Sequence, residues 1–392
     1  MRERPIFPAA LIAAILVAQM GVLQLWALAC GRSLTYVTPS PAFDYGLDYH
    51  DFYQASRAVL AGKSPYAVVR YVTPPLPALV NAPLSLLPFP SALGGVLAAM
   101  AVAVLGAYGL AVASFARGDA RRAWGLLALG LAAVGLSYPF YFLFERGNID
   151  GFVLALMVLA VWCRGRRAVA AGLFAALAIA SKVYPLLLFV PLLIEGRRRA
   201  VAAAALALAG CVLVAPMGWA EFARRAVERG ALFEWRENGS VACTFAYLGL
   251  AAQGLGLPLG VKAWQWAGTV VFLALLLAAA CADYVKRGRR DEREATARML
   301  FYFPFMVAVP RQAYHYSLVA LLPLIPAVCH LWGRGTDRRR RRALLLVTVG
   351  IALSQTQAVA LSYLVGHAIP HVLPGVGLLL VLIGVAWYKV RC

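Results

Sequence analysis

Three carboxylates fall within eight residues in Phe43-Asp44-Tyr45-Gly46-Leu47-Asp48-Tyr49-His50-Asp51-Phe52-Tyr53. A carboxylate set among aromatic rings can take the proton of an attacking hydroxyl, the general-base role in a direct displacement at a sugar anomeric carbon. Asp48 and Asp51 are the candidates, with Tyr53 as a ring for a polar ligand. The spacing predicts a short helix over Asp51–Ala61, with Phe52, Ala55, Val59 and Leu60 as an apolar stripe and Gly62 as its stop. Asp48 then stands just ahead of that helix, facing a site; equally, Asp48 or Asp51 can act as its N-cap.

A second polar group is Glu145-Arg146-Gly147-Asn148-Ile149-Asp150, with an apolar run hard on either side. Charges so placed face a water-filled cavity or pair with one another, because lipid exposure is costly. Glu145 and Asn148 are candidate ligand contacts, and a Glu145–Arg146 pair is the structural alternative. Lys182, in Ser181-Lys182-Val183-Tyr184-Pro185, sits between apolar runs too short to cross a bilayer separately. An ammonium at that depth calls for an anion, such as a lipid-linked phosphate, or else snorkels to the interface. Tyr184 lies beside it. Arg311 and His315 offer a cation and an imidazole at a helix junction, or serve the structure alone. Farther back, Arg224, Arg225, Arg229, Trp235, Arg236, Asn238 and Ser240 combine guanidinium groups with an aromatic surface, while Glu221, Glu228, Glu234 and Glu237 are there to pair with them. The histidines and seven cysteines show no metal-ligand spacing, so neither a metal nor a cofactor is expected.

The elements that hold these residues must be membrane helices. Of 392 residues, 62% are hydrophobic and 14% charged, a balance that one soluble core could not bury. Spanning segments have to satisfy their backbone internally, so the expected fold is all-α and polytopic. Twelve apolar runs are candidate crossings: approximately 7–30, 91–116, 124–144, 149–163, 168–181, 183–194, 201–219, 264–283, 300–310, 316–331, 344–365 and 372–388. The Pro-rich stretch 74–90 reads as re-entrant or interfacial. The first run follows Arg2 and Arg4 and lacks a small-residue cleavage site, so it is expected to be retained.

Basic clusters follow residues 116, 163, 194, 283 and 331, all on one side of this topology. Roughly two thirds of the 37 Lys and Arg residues fall on that side, with the carboxylates split almost evenly, so it is the cytoplasmic side. The +20 net charge is thereby accounted for by anionic membrane lipids, without nucleic acid. Two long segments remain on the outer face, 31–90 and 220–263, and the whole of 1–392 reads as one integral-membrane domain. The termini are expected in the cytoplasm of a bacterial cell and the site on the outer face of its inner membrane.

Several of these residues, in this order, resemble glycosyltransferase family 87, the polyprenyl-phosphate-mannose-dependent, mannosyltransferase-like members of the GT-C superfamily. The resemblance rests on the Asp-rich aromatic start running into Ala55–Tyr66, on Gly147-Asn148, on Ser181-Lys182-Val183-Tyr184-Pro185 and on Tyr314-His315-Tyr316. It implies a GT-C fold, a polyprenyl-phosphate-sugar donor, a glycolipid or glycan acceptor, inversion at the anomeric carbon and an acidic base in the first outer segment, read from Asp48 or from Asp51. By the same likeness Lys182, His315 and Arg311 would contact the donor phosphate. Glu145-Arg146 departs from the family's more neutral junction. A transporter or lipid flippase is the competing class, since broken helices and intramembrane charges also mark transport paths. The chain has no GxxxxGK[ST] loop and no soluble α/β domain for a nucleotide sugar.

Overall fold

The computed structural model describes residues 6–29, 46–116, 118–229, 240–254, 260–286, 291–309, 315–334, 337–356 and 373–391. Every regular element among the described residues is helical. Among the described residues, four helices are long and apolar enough to cross a membrane: α4 (Phe89–Phe115), α13 (Val261–Val285), the segment Ser317–Arg334 that ends in α16 (Leu324–Arg334), and α18 (Leu373–Arg391). Two bent pairs raise the number to as many as six when each is counted as one broken span. They are α5 (Ala120–Gly135) with α6 (Tyr138–Arg146), bent by 60°, and α10 (Arg198–Val214) with α11 (Pro216–Arg229), bent by 99°.

Other expected crossings coincide with short helices. Those at 149–163 and 168–181 become α7 (Asp150–Cys163) and α8 (Ala168–Ser181), 14 residues each. At 1.5 Å per residue such a helix is about 21 Å long, short of the roughly 30 Å of hydrocarbon. The bends have local causes. Pro139 is the second residue of α6 and Pro216 the first of α11, where a missing N–H breaks the hydrogen-bond ladder. At the first bend Ser137 Oγ accepts from the Phe140 N–H and donates to Gln355 Oε1.

The chain divides into two compact units, one of Ser40–Ala107 and Phe142–Leu232, the other of Met1–Pro39, Tyr108–Tyr141 and Phe233–Cys392. In the first, α2 (Leu47–Leu60) packs on α3 (Pro75–Asn81) through a cluster of Tyr49, Phe52, Tyr53, Ala55, Tyr66 and Tyr71. Stretch 74–90 holds only α3 and a single turn at Leu84–Leu86 before α4 begins, a non-spanning segment. Arg225 of α11 is pinned to the segment after α2. Its guanidinium donates to the carbonyls of Tyr66, Val68, Val69 and Tyr71 and lies over the Tyr66 ring. Arg224 pairs with Glu221 and Glu228. Arg225 therefore ties α11 to the segment after α2, while both arginines also pair with glutamates of their own helix.

In the second unit α17 (Arg338–Ser354) packs along α18, where glycines on both helices allow backbone approach: a Cβ on Gly350 would lie 2.6 Å from the Gly377 carbonyl. At one end of this pair Asp283 accepts from Arg298, Tyr302 and Lys389 in a buried cluster.

Candidate functional site

Helix α2 begins one turn earlier than the spacing predicts. Gly46 takes the left-handed region at φ +76, its N–H donates to the Glu145 carbonyl at 2.7 Å, and its own carbonyl starts the helix. Asp48 and Asp51 therefore lie within α2 and neither caps it, which corrects the capping alternative. At the other end Gly62, at φ +70, stops the helix as expected.

Gly147 makes the matching turn after α6, at φ +62, and its Cα faces Tyr49 closely enough that a Cβ would meet the Tyr49 Cβ at 2.7 Å. Two glycines thus let the N-terminus of α2 lie against the C-terminus of α6. Asp48 is in the first turn of one and Arg146 in the last turn of the other, each on the helix end its charge favours.

Arg146 donates to Asp48 Oδ1 from Nη2 at 2.7 Å and from Nε at 3.0 Å. Asn148 Nδ2 donates to Asp48 Oδ2 at 2.7 Å. These charge-assisted bonds fix the carboxylate, and Oδ2 keeps a second acceptor position. Both charged side chains remain partly exposed, at 16% for Asp48 and 15% for Arg146.

The other face of Asn148 carries the network onward. Its Oδ1 accepts from the Asp150 N–H at 3.2 Å and from Lys182 Nζ at 3.1 Å. Lys182 ends α8, where the chain breaks into the turn Tyr184–Leu188 before α9 (Phe189–Ile194). Its ammonium also meets Asp150 Oδ1 at 3.2 Å, and the Tyr184 hydroxyl donates to the same oxygen at 3.1 Å. Asp150 is buried, with 1% of its side chain exposed, whereas Lys182 retains 16%.

Asp48, Asn148, Lys182 and Tyr184, named from the sequence, are thus brought into one connected network. The anion that Lys182 meets is Asp150, whose one signal in the sequence is a carboxylate opening an apolar helix. The role of Arg146 was also missed, because its partner is 98 residues away. Glu145 has a buried side chain and contributes its backbone carbonyl to the turn at Gly46. Tyr53 is buried, with its ring against Phe89 and its hydroxyl donating to the Leu87 carbonyl, so it is engaged in packing.

Asp51 lies one turn from Asp48, 3.8 Å from Arg70. Burial pushes its carboxyl above the usual range; Arg70 opposes the rise, Asp48 adds to it, and His50 and Arg146 oppose it more weakly. Arg236, Asn238 and Arg311 lie outside the described residues, as does the His315 side chain; the His315 backbone opens the turn His315–Leu321.

No curated protein matches the chain. A family match covers residues 71–310, a stretch that carries Arg146, Asn148, Asp150, Lys182 and Tyr184 and begins after Asp48 and Asp51. That family is glycosyltransferase family 87, and with well over half of the 392 residues matched, the chain belongs to it.

Proposed function

We propose that the chain is an inverting glycosyltransferase that moves a sugar, mannose by the family likeness, from a polyprenyl-phosphate donor to a lipid or glycan hydroxyl. One observation supports this reading above others: Asn148 joins Asp48 to Lys182, so a partly exposed carboxylate and a partly exposed ammonium share one rigid connection. Displacement with inversion needs both signs of charge. The carboxylate takes the proton of the attacking hydroxyl, and the cation receives the charge that collects on the departing phosphate.

In this mechanism the donor lipid enters from the bilayer and its phosphate shares Lys182 with Asp150. The acceptor hydroxyl approaches Oδ2 of Asp48. Its oxygen bonds to the anomeric carbon as the bond from that carbon to the phosphate oxygen breaks. The proton passes to Asp48 and polyprenyl phosphate leaves with both electrons. Asp150 and Tyr184 hold Lys182 in place. The accompanying architecture is GT-C-like, with about a dozen crossings once short and bent helices are counted, cytoplasmic termini and the site on the outer face of the inner membrane.

The test is transfer of radiolabelled mannose from polyprenyl-phosphate-mannose to membrane lipid by the purified protein in nanodiscs. Wild type and Asp51→Asn should form product, and Asp48→Asn should lose it by roughly 10³-fold. Full activity of Asp48→Asn with a dead Asp51→Asn would move the base by one turn. Transfer from a nucleotide sugar but from no lipid-linked donor would overturn the donor class.

A further inference from the structure

The unit containing Tyr108–Tyr141 and Phe233–Cys392 holds a polar cluster that shares no residue with the network around Asp48. His330 on α16 is 4% exposed, and neither ring nitrogen has a hydrogen-bond partner among the described residues. Its ring lies 5.3 Å from that of Phe115, the last residue of α4. Helix α5 follows directly, with Asp119 as N-cap accepting from the Arg122 N–H at 2.9 Å. Arg122 Nε and Nη2 are likewise buried without a partner among the described residues. One turn beyond His330, Arg334 pairs with Asp291, the N-cap of α14 (Glu292–Leu300), which also carries Arg293 in its first turn.

The charged groups that act on the imidazole are therefore Arg122, Arg334, Arg293 and Asp291, and Asp119 acts on Arg122. Both carboxylates are committed: Asp119 to the α5 cap, Asp291 to the α14 cap and to Arg334. What remains is the Arg122 Nε and Nη2 donors and the single N–H of a neutral His330 ring, desolvated and without an acceptor among the described residues, a costly arrangement unless one arrives. Two helix N-termini, of α5 and α14, add their positive ends.

An anionic group with several acceptor oxygens fits these unpartnered donors, and a phosphodiester is such a group. The level in the bilayer indicates its source. Trp124, two residues from Arg122, is 72% exposed, as tryptophans at the membrane-water boundary are. Basic pockets between spanning helices on the cytoplasmic side take anionic headgroups, and the loops after residues 116, 283 and 331 belong to that side by their charge.

We propose that Arg122 and His330, flanked by Arg293 and Arg334, bind the phosphodiester headgroup of an anionic membrane lipid. The test is thermal unfolding of the full chain in neutral detergent with added phosphatidylglycerol, phosphatidylcholine or inorganic phosphate. Phosphatidylglycerol should raise the midpoint by roughly 2–4 °C over phosphatidylcholine in wild type. Arg122→Gln should abolish that difference, His330→Leu should reduce it while folding normally, and Arg339→Gln, a basic change outside the cluster, should keep it. An undiminished difference in both Arg122→Gln and His330→Leu overturns the site. Inorganic phosphate reproducing the whole shift overturns the lipid as its occupant.

Discussion

Asn148 donates from Nδ2 to Asp48 Oδ2 at 2.7 Å and accepts at Oδ1 from Lys182 Nζ at 3.1 Å, so a single carboxamide stands between a carboxylate and an ammonium. The amide is suited to that position because one end is a donor and the other an acceptor. Asn148→Asp keeps the acceptor toward Lys182 but sets a second carboxylate against Asp48. Two carboxylates at that distance favour sharing a proton, which removes the free base. The expected result is a fall in kcat of roughly 10²-fold at neutral pH, with a smaller change in KM. Steady-state transfer kinetics of the variant check it, and a wild-type kcat would remove Asn148 from the reaction.

The turn at Gly147 gives a stability prediction with its own control. Gly147 has φ +62 and a Cβ there would lie 2.7 Å from the Tyr49 Cβ; Gly196 has φ +72 and nothing within 4 Å. Alanine at either position pays the left-handed backbone penalty, and only alanine at 147 also meets a neighbouring side chain at its rigid base. Gly196→Ala should cost about 1 kcal/mol and Gly147→Ala about 2–4 kcal/mol. Thermal midpoints of the two variants measure this, and equal losses would show that the approach of α2 to Gly147 is not close.

Where the fold was legible, the signal was local. Gly62 stops α2 because it acts through its own backbone, whereas the bends near Pro139 and Pro216 fall inside the runs 124–144 and 201–219, each read as a single crossing. The start of α2 was misplaced by a turn because the Gly46 conformation is anchored by the carbonyl of Glu145, a contact absent from any spacing rule. The same limit hid the Asp48–Arg146 pair: the sequence neighbour Glu145 was the visible partner, whereas the partner in space is remote along the chain. Lys182 was found by its depth, yet depth demands only an anion, and Asp150 satisfies that demand within the protein. Helices of 14 residues such as α7 and α8 also fall between a full span and a buried hairpin, so the length of an apolar run does not by itself separate the two.

Asp51 should make stability depend on acidity in a direction opposite to a paired carboxylate. Burial raises its pKa above the ordinary 3.8, so in the window from that value up to the folded value the unfolded chain loses the proton first. Stability from this group is then lost as pH rises through that window, and it stays lost at neutral pH. Asp51→Asn removes the ionisation. The variant should melt higher than wild type at pH 7, and the gap should close as the pH falls to about 4 or below. A variant that is less stable at pH 7 would mean that the Arg70 interaction outweighs burial.

The cluster around Asp283 separates the removal of a charge from the removal of a pair. Asp283 Oδ1 accepts from Arg298 at 3.0 Å, and Oδ2 accepts from Lys389 at 2.6 Å and from the Tyr302 hydroxyl at 3.1 Å. Lys389 and Asp283 are almost wholly buried, and Lys389 Nζ also sits 3.5 Å from the centre of the Tyr302 ring. Asp283→Asn leaves the buried Lys389 facing a neutral amide, while Arg298 keeps Glu294, and should cost about 3–5 kcal/mol. Lys389→Met leaves Asp283 with Arg298 and should cost less. The double variant should be more stable than the sum of the two losses, because the second change removes a charge that the first stranded; coupling between groups in direct contact is commonly about 0.5–3 kcal/mol. Unfolding midpoints for the four members of the cycle measure that coupling. Strict additivity would show that Lys389 is neutralised by its contacts with Tyr302 and the Arg298 carbonyl rather than by Asp283.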